Sequence, residues 1–85
     1  MRLLLHKHFK KQYKKLTAVQ NKVDERLGLF LADPFDPLLN NHALSGKYVD
    51  CRSINISGDY RAIYQLLDDD VAYFITLDKH SNLYH

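Results

Sequence analysis

The spacing of apolar residues predicts two helices in the first half of the chain. Phe9, Tyr13 and Leu16 recur at helical intervals among lysines, which indicates an amphipathic and basic first helix. The segment TAVQ at 17–20 is typical of a capping box that starts a second helix, and the Asp-Pro pair at 33–34 ends it. The positions expected on the buried face of the second helix are Val19, Val23, Leu27 and either Phe30 or Leu31. Because almost no linker separates the two helices, we expect an antiparallel hairpin.

The rest of the chain has the patterns of β-strands. RLLLH near the start is a short apolar run that we interpret as a strand buried on both sides, although a first helical turn would also fit. After a loop at 33–46, Ile54 and Ile56 alternate with polar residues, and two apolar strands follow the turns at 58–59 and 68–70. The predicted fold is therefore α+β, with an N-terminal strand and a two-helix hairpin packed on one face of a small, mainly antiparallel sheet.

Length and composition fit one globular domain that spans residues 1–85. Hydrophobic residues make up 46% of the chain, but no stretch approaches the ~20 apolar residues of a membrane span. The opening MRLLLH is too short for a signal peptide, so we expect a cytoplasmic protein with no membrane partner. Cys51 is the single cysteine, which excludes an internal disulfide and a zinc site built on a cysteine pair. We expect it to be a small packing residue in a strand.

Charge is distributed unevenly along the chain. Residues 1–32 carry eight basic against two acidic residues, a net +6, whereas residues 33–85 carry four basic against eight acidic residues, a net −4. Clustered lysines attract polyanions such as nucleic acids, independently of sequence. A solvated helix face would have the same composition, so charge alone leaves both interpretations open.

Polar side chains of the predicted sheet form a candidate site. Ser53 and Asn55 point away from the apolar isoleucines of their strand, and Arg61 lies just across the Gly-Asp turn. An arginine can hold a phosphate with its planar fork of donors, and Asp59 could orient that arginine or accept a proton. An ordinary hairpin ion pair beside exposed polar residues would give the same pattern.

Two histidines could serve the same site. His42 lies in the long loop and His80 follows the last strand, and these two chain points can meet at one end of a meander. Such a pair could act as general base and general acid, although single loop histidines are more often solvated. Zinc bound by His42, His80 and Asp59 is a weaker alternative, because no cysteine pair or HExxH spacing supports it. Tyr84 could stack on a nucleotide base or fasten the chain end to the sheet, and His85 is given no role.

Several segments resemble the RelE/ParE toxin superfamily, and most closely its YafQ-like branch of ribosome-dependent mRNA interferases. The most specific segments are HALSGK, GDYRAIY and the terminal HSNLY, and the two helical segments are also similar, so the resemblance spans nearly the whole chain. It implies two helices packed on a small antiparallel sheet, with the active site on the open face. It also implies a type II toxin that a small antitoxin holds inactive by binding along the first helix and the open end of the sheet.

The activity implied by the resemblance is cleavage of mRNA in the ribosomal decoding site, without a metal or cofactor. A ribose 2′-hydroxyl attacks the adjacent phosphate, and His80 would be the leading acid–base group. The other residues carried over by motif are the loop histidine, the aspartate after the turn, the strand arginine and the terminal aromatic: His42, Asp59, Arg61 and Tyr84. Further substrate contacts are expected from Ser53, Asn55, Lys79, Lys11 and Lys14.

The sequence departs from the YafQ-like pattern in two places. Several such toxins have an aspartate and a histidine on the second strand, where this chain has Ser53 and Asn55, so one proton-transfer role is missing or has moved to His42. The usual glycine-threonine before the tail histidine is Asp78-Lys79. Two other functions therefore stay open. One is a toxin of the gyrase-directed branch, which acts by binding, and the other is a catalytically weak binding module with the toxin fold.

Overall fold

The computed structural model describes residues 1–84, so the histidine at position 85, to which no role was assigned, lies outside the described residues. Within residues 1–84 the elements are, in chain order, β1 (Arg2–Leu5), α1 (Lys7–Lys15), α2 (Gln20–Ala32), β2 (His42–Ala43), β3 (Arg52–Ser57), β4 (Tyr60–Asp68), β5 (Val71–Lys79) and α3 (His80–Leu83). Short 3-10 turns lie at Thr17–Val19, Pro37–Leu39 and Gly46–Tyr48. The prediction of an α+β fold with an N-terminal strand followed by two helices is confirmed. The expectation that this strand is buried on both sides is wrong, because β1 lies at the sheet edge with Arg2 and Leu4 exposed.

The strands form one sheet in the order β1-β5-β4-β3-β2. β1 runs parallel to β5 and the other neighbouring pairs are antiparallel, which confirms a mainly antiparallel sheet. The sequence predicted four strands, and the fifth, β2, lies inside the predicted loop, where His42 pairs with Ser53. β3 begins only at Arg52, because a 3-10 turn and the left-handed backbone of Asp50 (φ 70°) interrupt the extended chain before it.

α1 and α2 pack on one face of the sheet and enclose the main core. The Phe30 ring lies edge-on, 4.9 Å from the Tyr64 ring and 5.3 Å from the Phe74 ring, and the Phe9 ring lies 5.8 Å from that of Phe74. Of the two alternatives at the end of α2, Phe30 is fully buried and Leu31 is exposed. Edge-to-face pairs add about 0.5–1.5 kcal/mol to the free energy of burial. This aromatic cluster therefore fixes α2 to the sheet.

The junction between the two helices contains no capping box, so that prediction is wrong. Thr17–Val19 form a 3-10 turn, and no side chain caps the start of α2. The Gln20 amide instead donates to the Tyr13 carbonyl at 2.8 Å, and the Tyr13 hydroxyl donates to the Asp24 carboxylate at 2.8 Å. This second bond raises the pKa of the Tyr13 hydroxyl, because it stabilises the protonated form. The side chains thus link the two helices, and the Gln20 amide satisfies a carbonyl in the last turn of α1 instead of capping the start of α2.

The opposite face of the sheet carries a smaller apolar cluster that holds α3 in place. Leu83 is buried with Cys51 and Ile63, so the chain end is fastened to the sheet by Leu83. Burial, followed by the charge of Asp50, raises the pKa of the Cys51 thiol, as expected for a packing residue. Cys51 immediately precedes β3, so its predicted position within a strand is wrong. None of the helices within residues 1–84 has the length and apolar character that crossing a membrane requires.

Candidate active site

A groove of about 380 Å³ lies on the sheet face opposite α1 and α2. Strands β2, β3 and β4, the residues on either side of β2, and the α3 region supply its lining, which consists of Asn40, His42, Leu44, Ser53, Arg61, His80 and Tyr84. Five of the site residues predicted from the sequence therefore line one groove, although up to 42 positions separate them along the chain.

The strand register explains this convergence. His42 on β2 lies opposite Ser53 on β3, and Arg61 on β4 lies opposite Asn55 on β3. Successive side chains of a strand point to opposite faces. Ile54 belongs to the main core under the helices, so Ser53 faces the groove side of the sheet.

The imidazole of His42 is oriented by a turn. Its Nδ1 atom lies 2.8 Å from the carbonyl oxygen of Asn40, a residue whose backbone is left-handed (φ 44°). A carbonyl oxygen only accepts hydrogen bonds, so Nδ1 carries the hydrogen and the Nε2 atom of the neutral ring is an acceptor. The His42 side chain is exposed, and this geometry equips it to take a proton at Nε2.

The guanidinium of Arg61 is held by the β3–β4 turn. Its Nη1 atom donates to the carbonyl oxygens of Gly58 at 2.9 Å and Tyr60 at 3.1 Å. Gly58 has a left-handed backbone (φ 53°), which glycine adopts without steric cost. Within residues 1–84, no carboxylate forms an ion pair with Arg61, so the hairpin ion pair with Asp59 is wrong. Two neutral carbonyls fix the head of Arg61 and leave its charge available for an anion.

The helix α3 places His80 and the following Tyr84 at one end of the groove. Their ring centroids are 4.6 Å apart, and the ring of Tyr48 meets Tyr84 edge-on at 6.0 Å. The backbone N–H of His80 donates to the Asp59 carbonyl at 2.9 Å, which ties the start of α3 to the β3–β4 turn. Tyr84 is 40% exposed, so part of its ring is accessible to a planar ligand.

The family model described as a bacterial toxin of a type II toxin-antitoxin system, YafQ, matches residues 1–85. The chain belongs to the YafQ family. Its fold is similar to the crystal structure of E. coli YafQ, with a TM-score of 0.84 and 19% identity over 99% of this chain and 98% of that chain. A copper-bound mutant toxin from Helicobacter pylori is similar with a TM-score of 0.74 and 34% identity over 99% of both chains.

The fold is also similar to that of a chain in the E. coli DinJ-YafQ complex, with a TM-score of 0.81 and 19% identity over 99% of this chain and 98% of that chain. Among curated proteins, none matches this sequence. At 19% identity the E. coli structures establish the fold, while the family model establishes membership of the YafQ toxins.

Five of the predicted site residues of this YafQ-family toxin do not line the groove. Asp59 contributes its carbonyl oxygen to the hydrogen bond that starts α3, and the side-chain oxygen of Asn55 is buried without a partner among residues 1–84. The Lys79 ammonium lies over an aromatic ring of β4 at 5.9 Å, and Lys11 and Lys14 lie on α1, across the sheet. The zinc hypothesis fails because Asp59 is outside the groove, and residues 1–84 hold no group of three potential metal ligands.

Two features of this YafQ-family toxin were not found from the sequence. Asn40 was missed as the partner of His42, although an Asn-Asn pair at 40–41 is a signal for left-handed backbone. The second feature is a cleft of about 430 Å³ between α1, α2 and β1, which we name the helical cleft. Its lining consists of Leu5, Phe9, Lys10, Tyr13, Lys14, Asp24 and Leu27.

Proposed function

We propose that this YafQ-family toxin is an endoribonuclease that cleaves mRNA on the ribosome. The observation that carries the proposal is the convergence of two histidines, an arginine and an exposed tyrosine in one groove: His42, His80, Arg61 and Tyr84. Acid–base groups, a fixed cation and an accessible aromatic ring are what cleavage of a phosphodiester by its own 2′-hydroxyl requires.

The two histidines divide the proton transfers between them. His42 accepts the proton of the 2′-hydroxyl at Nε2, because its Nδ1–H is engaged by the Asn40 carbonyl. The 2′-oxygen forms a bond to phosphorus while the bond from phosphorus to the 5′-oxygen breaks. His80 donates a proton to that 5′-oxygen, so the products are a 2′,3′-cyclic phosphate and a 5′-hydroxyl end.

Arg61 and Tyr84 act on the substrate beside these histidines. The Arg61 guanidinium, fixed by two carbonyls, stabilises the charge that develops on the phosphate oxygens. Tyr84 stacks on a base next to the cleaved bond, an interaction of about 1–3 kcal/mol per base. The proposal requires no metal or cofactor, because the protons and the charge stabilisation come from side chains.

Inducing the toxin in bacterial cells tests the proposal. We expect growth to stop and transcripts to be cut, and His80→Ala should abolish both effects. His8→Ala is the matched control, because His8 is an exposed histidine on α1, away from the groove. Mapping of transcript ends and an assay with purified ribosomes locate the cleavage. If His80→Ala remained as toxic as the wild type, with mRNA intact in both, the ribonuclease proposal would be wrong.

The gyrase-directed alternative predicts a different outcome of the same induction. A toxin of that branch would cause DNA damage signalling while the transcripts stay intact. A binding module with weak catalysis would give equal results for the wild type and His80→Ala in the ribosome assay. The groove favours the ribonuclease, because the His42 ring is oriented by a hydrogen bond to the Asn40 carbonyl and the His80 ring lies beside the Tyr84 ring in the same groove.

The partner that we propose is an antitoxin that docks on the surface formed by α1 and the helical cleft. The E. coli DinJ-YafQ structure is a toxin–antitoxin complex, which supports this class of partner for a YafQ-family chain. Helix α1 has five exposed lysines: Lys7, Lys10, Lys11, Lys14 and Lys15. None of them forms an ion pair within residues 1–84. Lys10 and Lys14 border the largely apolar helical cleft. An acidic amphipathic helix that inserts an apolar side chain into the cleft fits this combination.

A further inference from the structure

Ser53 combines complete burial with an unused hydrogen-bonding group. Its exposed fraction is 0%, and its Oγ atom has no hydrogen-bond partner among residues 1–84. The same residue lines the groove that holds the two histidines and Arg61. Since nearly all buried polar groups in folded proteins are paired, a hydroxyl with no protein partner that lines a groove is a candidate contact for a ligand atom.

The neighbours of Ser53 explain why the protein itself does not supply this partner. Across the sheet on one side, His42 directs its Nδ1 atom to the Asn40 carbonyl. On the other side the paired residue is Ile63, whose side chain has no polar atom. The Oγ hydrogen bond is therefore left for a group that enters the groove.

The charge of the groove identifies the chemical class of that group. Its lining includes one guanidinium and two imidazoles and contains no carboxylate. A hydroxyl next to such groups donates its hydrogen to an anion, and hydrogen bonds to an ionised acceptor are about twice as strong as neutral ones. An oxyanion such as a phosphate is the ligand that satisfies both Ser53 and Arg61.

We propose that Ser53 Oγ donates a hydrogen bond to a non-bridging oxygen of the RNA phosphate that Arg61 binds. The inference rests on the proposed ribonuclease function and names a phosphate-binding residue in it. A carboxylate at this position would be negatively charged and would repel the phosphate oxygen, whereas the serine hydroxyl is a neutral donor.

Binding of an RNA that cannot be cleaved tests the role of Ser53 separately from catalysis. The probe is a trinucleotide with 2′-O-methyl riboses, titrated into the isotope-labelled protein at low salt and followed by amide chemical shifts. Inorganic phosphate is a second probe, which separates recognition of the phosphate from recognition of the bases. We expect Ser53→Ala to raise the dissociation constant for both probes by about 10-fold. Ser57→Ala is the control, because Ser57 lies on the same strand but does not line the groove.

Thermal unfolding distinguishes a ligand-binding hydroxyl from a structural one. Because Oγ is unpaired, Ser53→Ala should melt at the same temperature as the wild type or above it. A lower melting temperature with unchanged dissociation constants would overturn the inference. Ser53→Cys keeps the side-chain shape with a larger atom and a weak donor, and it should also bind about 10-fold more weakly. Unchanged binding by this folded variant would equally overturn the inference. Weaker binding by both variants would support the role of Ser53 even if the wild type cut no RNA.

Discussion

Hydrogen bonds of single residues decide which role each groove side chain can take. The carbonyl of Asn40 makes His42 an acceptor at Nε2, and the carbonyls of the β3–β4 turn hold Arg61 without neutralising it. The sequence indicated His42 and Arg61 as site residues through their types and motifs. It could not show their partners, because backbone atoms supply those partners and every residue type has a carbonyl.

Replacing Arg61 with lysine distinguishes the contribution of its positive charge from that of its planar guanidinium. Lysine keeps the positive charge but lacks the planar fork of donors, so we expect the rate of mRNA cleavage to fall about 10²-fold, and further in Arg61→Ala. The measurement is the single-turnover rate of cleavage of an mRNA bound to purified ribosomes. Arg2→Lys, at an exposed position of β1, should cleave at the wild-type rate. Equal rates for Arg61→Lys and the wild type would mean that only the charge of Arg61 matters.

Helices and strands long enough to repeat their apolar pattern several times were predictable from the sequence, and short ones were not. The 13 residues of α2 and the nine residues each of β4 and β5 carry repeated apolar patterns. β2 has two residues and α3 has four, so neither contains enough residues to show a period. Both short elements nevertheless carry residues of the groove, His42 and His80. The predicted capping box at 17–20 does not form, because the Gln20 side chain bonds to a carbonyl of α1 instead of to the backbone at the start of α2.

The hydrogen bond from Tyr13 on α1 to Asp24 on α2 makes the stability of the fold change with pH in the alkaline range. The pKa of the Tyr13 hydroxyl is raised above its usual 10.0 because it donates to Asp24. A raised pKa in the folded state means that the stabilisation is complete below pH 10.0 and is lost as the pH rises through the folded-state pKa. We expect a higher urea midpoint for the wild type than for Tyr13→Phe at neutral pH, and a shrinking difference above pH 10.0. A difference that stayed constant with pH would show that this bond does not stabilise the fold.

The whole molecule presents a different chemistry on each face of its sheet. The groove with its histidines lies on one face, and the lysines of α1 and the helical cleft lie on the other. The sequence predicted the basic first helix and the α+β fold, but the helical cleft depends on how α1 and α2 pack together. An antitoxin bound only in the helical cleft would leave the groove uncovered. Its inhibition would then depend on blocking access to the ribosome.

Reversing the charges at the helical cleft tests whether the antitoxin binds there. Lys10→Glu combined with Lys14→Glu should weaken binding of the protein encoded beside the toxin gene at least about 10-fold, because two attractive contacts become repulsive. The measurement is the dissociation constant from calorimetry at two salt concentrations, and the wild type should lose affinity at the higher one. Lys22→Glu is the matched control, since Lys22 lies outside the cleft and faces Glu25 at 3.6 Å. If the double variant bound the antitoxin normally but lost binding to ribosomes, the α1 surface would contact RNA and the proposed antitoxin site would be wrong.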